Sequence, residues 1–118
     1  MPGPRLARMS LLSIVRCAAG AALLLNAVPH GVKAIQGEPF PSPFANPPGV
    51  GMSPPAANVV WSAINATLGS LLIGRGVRTV GERIAAGLGA LGMAFVLAAQ
   101  FGDVMRGGTG LAGRRAKG

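Results

Sequence analysis

Apolar residues gather in three long runs, at residues 9–28, 55–73 and 84–102, set apart by stretches rich in proline, glycine and charge. Each run holds 19 or 20 residues. A helix rises about 1.5 Å per residue, so roughly 20 apolar residues cross about 30 Å of hydrocarbon. The pattern predicts an all-α membrane protein with three transmembrane helices and a Pro-rich loop between helices 1 and 2.

The intervening segments mark the boundaries. Residues 1–8 form a short basic N-terminus with Arg5 and Arg8. Helix 1 is predicted to stop near Val28, because Pro29 disfavours helix in the residue before it. Residues 29–54 are read as the loop. Seven of the ten prolines lie between Pro39 and Pro55, which excludes regular helix and a central strand there. Pro54 and Pro55 suit the first turn of helix 2, with Ser53 as its expected cap. Residues 74–83 make a tight basic turn, and residues 103–118 a basic, Gly-rich tail expected to be disordered. A cleavable leader is the rival reading of residues 1–28. Arg16 inside the apolar run and the poor cleavage site Leu25-Asn26-Ala27 argue for a retained helix.

Composition strengthens the membrane reading. Half of the residues are hydrophobic, 12% are charged and mean hydropathy is +0.50. Soluble domains carry about 25% charged residues. The net charge of +8 would suggest nucleic acid in a soluble protein, but the cations flank the apolar runs, with Arg16 the exception. They are read as helix flanks facing lipid headgroups, with no nucleic-acid role. Nine arginines against two lysines, with abundant Ala and Gly, suggest a bacterium with a GC-rich genome. Cys17 is the single cysteine, so no intrachain disulfide is possible, and a packing role is expected. Orientation is a tie: five cations fall on each side of the predicted topology. With the first helix given precedence, the N-terminus is placed inside the cell (inner) membrane.

In lipid, helices associate through close backbone approach and polar contacts. Helix 2 carries Asn58, Ser62, Ala66, Ser70 and Gly74 at four-residue spacing; helix 3 carries Ala86, Ala90, Ala94, Ala98 and Gly102. These stripes are expected to face other helices. A second row on helix 3, with Gly81, Ala85 and Gly89, is available for self-association.

Three helices threaded up, down and up bring Asn26, His30, Asn58, Gln100 and Asp103 to one end. That polar cluster is the candidate site: a His with a carboxylate holds or relays a proton, or a hydrogen-bonded set ties the loop to the helices. Arg16 is an intramembrane charge with Glu82 as its expected partner. Other motifs fail on context. Gly87-Leu88-Gly89-Ala90-Leu91-Gly92 spells a dinucleotide fingerprint, but inside an apolar helix rather than after a strand. Asn65-Ala66-Thr67 fits a glycosylation sequon buried at membrane depth. No metal set, cofactor motif or catalytic group emerges.

The expected role is therefore non-enzymatic: a scaffold, accessory subunit or assembly factor in the lipid bilayer, forming a homo-oligomer or joining a larger membrane-protein partner. The second reading is an oligomeric transporter or pore. The chain resembles holin-like proteins in size, helix number and basic tail. A membrane enzyme built on His30 and Asp103 is the third.

Overall fold

The computed structural model describes the backbone of residues 4–117 and the side chains of residues 11–113. The rest of the basic N-terminus and the last residue lie outside the described residues. The order is α1 (Pro4–Ile35), β1 (Phe40–Pro41), β2 (Met52–Ser53), α2 (Pro55–Ile73), α3 (Val80–Met105) and α4 (Gly110–Lys117). The fold is mostly helical, and α1, α2 and α3 are each long and apolar enough to cross a membrane.

α1 is the central element. It packs along both α2 and α3, which scarcely meet each other. The molecule measures 54 × 35 × 18 Å, a flat slab. Glycines permit both crossings. A Cβ on Gly20 would sit 2.9 Å from the Gly69 carbonyl oxygen, and one on Gly89 would overlap the Ala18 backbone.

α1 runs through Pro29 to Ile35, nearly two turns past the expected stop at Val28. The local rule is overridden by contacts beyond the proline. His30 bonds Asn58, and Gly31 lies against Ser62, whose hydroxyl donates to the Ala27 carbonyl (2.7 Å). Neighbouring helices commonly re-satisfy backbone disturbed by an intrahelical proline. The end comes at Gly37, at φ 74°: Glu38 N–H bonds Lys33 O and Gly37 N–H bonds Ala34 O, the Schellman pattern. Gly107 (φ 88°) closes α3 in the same way.

The Pro-rich loop folds back on itself. Phe40 pairs with Ser53 and Pro41 with Met52 in a two-residue antiparallel ladder. Ser53 does not cap α2; its hydroxyl pairs with that of Ser42 at 2.6 Å, and Pro54 occupies the cap position without a side-chain bond. α3 opens with a capping box between Thr79 and Glu82. The tail, expected to be disordered, carries α4. That helix is docked by Gln100 Oε1, which accepts from Leu111 N–H (2.7 Å), and by Asp103 Oδ2, which accepts from Gly110 N–H (2.9 Å).

Burial is inverted relative to a water-soluble protein. The largest fully buried side chains are His30, Asn58, Asn65, Pro41, Cys17 and Ser42. Leu11, Leu12, Leu71, Leu88 and Phe95 are each more than 60% exposed.

Candidate functional site at the loop end

Local geometry brings α1, α2, α3 and the loop together around His30. The imidazole is 2% exposed and meets three rings edge-on: Phe40 at 5.4 Å, Phe101 at 5.6 Å and Trp61 at 6.3 Å. Asn58, one turn into α2, is fully buried and donates from Nδ2 to Phe40 O (2.8 Å) and Ser53 O (3.3 Å). Carbonyls only accept, so the Asn58 amide has one orientation. Its Oδ1 must then accept from His30 Nδ1–H, at 2.8 Å. The neutral imidazole is held as the Nδ1–H tautomer, and Nε2 keeps its lone pair.

The same reasoning fixes a second pair. Asn65 Nδ2 donates to Trp61 O (2.9 Å), so Asn65 Oδ1 accepts from Asn26 Nδ2 (2.9 Å). Asn26 Oδ1 is left as an acceptor. Asn26 and His30 lie one helical turn apart on α1 and line one cleft of about 310 Å³, with Trp61, Gln100, Phe101 and Leu111.

No family model, curated protein or solved structure matches this chain. The site is therefore read from its own geometry.

Of the five expected cluster residues, Asn26, His30 and Gln100 line the cleft, and Asn58 stands behind His30. Gln100 also reaches the loop, donating to Gly49 O (3.0 Å). Asp103 goes to the start of α4 and makes no bond to His30, so the expected His–carboxylate pair does not form. Lys33 and Glu38 pair with each other at 2.7 Å at the surface. Among the described residues, no three His, Cys, Asp or Glu side chains gather as a metal site.

Asn65, expected only as part of a sequon, and Phe101 join the site unforeseen, while Phe40, expected at the interface or capping the bundle, and Trp61, expected as an interfacial anchor, pack against His30. The signal for Asn65 lay in its spacing: Asn58, Ser62, Asn65 and Gly69 share one α2 face. Ala66 is half-buried, whereas Ser70 and Gly74 are exposed. On α3, Ala86 and Ala90 are half-buried and Ala94 and Ala98 exposed. Ala85 and Gly89, expected to serve self-association, lie on the side of α3 that packs against α1.

At the far end, Arg16 and Glu82 meet at 3.3 Å. Arg16 Nη1 also donates to Leu72 O (2.6 Å) and to Ile73 O, the last carbonyls of α2. Glu82 Oε1 accepts from Thr79 N–H (2.9 Å), and Cys17 lies against its other oxygen. Arg16 and Glu82 both have structural partners. This end clamps three helices together.

Proposed function

We propose that the chain is a small multi-pass integral membrane protein of the bacterial inner membrane, non-enzymatic, acting as a scaffold or accessory subunit that associates within the bilayer. The N-terminus lies inside and the proline loop outside. The carrying observation is the inverted burial: amides, hydroxyls and an imidazole fill the interior while Leu, Val and Phe cover the exterior. In water such a surface would drive aggregation. In lipid it is the low-energy arrangement, because among the described residues no fully buried side-chain nitrogen or oxygen lacks a hydrogen-bond partner.

The thin slab supports the association reading. With α2 and α3 on opposite flanks of α1, both broad faces are open to a second copy or another membrane helix. The exposed Ala94 and Ala98 allow close backbone approach there. The test is crosslinking in native membranes followed by native mass spectrometry in detergent. A stable homo-oligomer, or a defined complex with another membrane protein, is expected. Extraction without detergent, or a strictly monomeric and partner-free protein, would refute the reading. Ion leakage from vesicles loaded with the protein would replace it with the pore.

A further inference from the structure

We infer that the cleft between α1, α3 and the loop binds a hydroxylated aromatic ring, the head of a phenol or hydroquinone. The inference goes beyond the scaffolding role and does not rest on it. His30 Nε2 and Asn26 Oδ1 are both acceptors, their orientations dictated through Asn58 and Asn65 by backbone carbonyls. No described protein group donates to either. Both residues line the cleft; His30 is 98% buried and Asn26 is half-buried. Neither atom is sealed off, since among the described residues no fully buried side-chain nitrogen or oxygen lacks a hydrogen-bond partner, so both are open to a ligand that brings hydroxyl protons.

The remaining wall sets the ligand's character. Among the described residues no charged side chain lines the cleft, which disfavours an ion of either sign. Trp61 and Phe101 offer aromatic surface, and Val96 and Leu97 aliphatic surface. The volume of about 310 Å³ lies at the small end of ligand pockets and suits one substituted ring. Two acceptors from the same wall offer partners for a ring with two hydroxyls.

His30 is the only histidine, so its ring nitrogens give an unambiguous NMR signature in protein labelled with ¹⁵N-histidine. The probes, kept anaerobic in detergent micelles, are hydroquinone, decylhydroquinone and the dimethyl ether of decylhydroquinone. The hydroquinones are expected to move the Nε2 resonance while Nδ1 stays protonated. The ether, which cannot donate, is expected to bind at least tenfold more weakly. Asn26→Ala should weaken decylhydroquinone about tenfold with Cys17 still protected from thiol reagent, which shows the fold intact. Tighter binding of the decyl probe than of hydroquinone assigns the ring to a membrane-soluble molecule; equal binding assigns it to a water-soluble one. Both results uphold the site. Equal affinity for the ether, or an unmoved Nε2, overturns it.

Discussion

Asn58→Ala tests whether the buried amide holds the Pro-rich loop. The side chain makes three bonds: it accepts from His30 Nδ1–H and donates to Phe40 O and Ser53 O. Each is worth about 1 kcal/mol net, and stranded buried partners add to the loss, giving about 3–5 kcal/mol in total. The loss is local. Phe40 and Ser53 form one rung of the ladder that closes the loop, so their release frees residues 37–54 before the helices part. At about 1.4 kcal/mol per factor of ten, amide exchange at Gly49 and Gly51 should accelerate by roughly 100-fold or more. Both amides are bonded only within the loop, to Ser42 O and Pro47 O. Cys17 supplies the second readout. It is fully buried beside Glu82, at the clamp away from the loop, so its reaction with a thiol dye reports opening of the helices. Faster loop exchange with a smaller change at Cys17 is expected. Asn58→Asp should behave like the alanine variant, because a carboxylate keeps the bond from His30 but faces two carbonyl oxygens. Unchanged exchange at Gly49 and Gly51 in Asn58→Ala would refute the reasoning.

Five further substitutions follow from the packing. Gly89→Ala should destabilise by about 1–3 kcal/mol, since its Cβ would overlap the Ala18 backbone, whereas Gly87→Ala and Gly92→Ala, with open space beside them, should be neutral or stabilising; Cys17 dye melts in detergent check all three. Arg16→Gln should lower the melting midpoint by several degrees, because it removes the ion pair with Glu82 and uncaps Leu72 O and Ile73 O; a midpoint equal to the parent's would count against the clamp. Thr79→Ala removes the acceptor for Glu82 N–H and should cost about 1 kcal/mol, with exchange of the first α3 amides as the measure.

The three apolar runs were legible because their length and solvent preference are properties of composition. Which face of each helix packs was not, and the reason is geometric. Successive α-helical residues turn by about 100°, so a strict four-residue row drifts about 40° per step. From Ala86 to Gly102 that drift approaches half a turn, and the row winds from half-buried at Ala86 to exposed at Ala94 and Ala98. The packed faces alternate steps of three and four. On α3, Glu82, Ala85 and Gly89 lie at the interface; on α2, Asn58, Ser62, Asn65 and Gly69 do. The end of α1 was hidden for a different reason. A proline rule is local, and what carries the helix past Pro29 comes from α2, through Asn58 and Ser62. The site combines both effects. His30 and Asn58 could be brought to one end by counting helices, but the His30 tautomer depends on carbonyls of Phe40 and Ser53, 18 and five residues from Asn58. Those carbonyls reach the amide only because the loop pairs in one register. A single-residue slip would turn Ser53 away from Ser42 and break the set that fixes the imidazole. The chemistry of the cleft is thus a property of the loop's register as much as of the residues that line it.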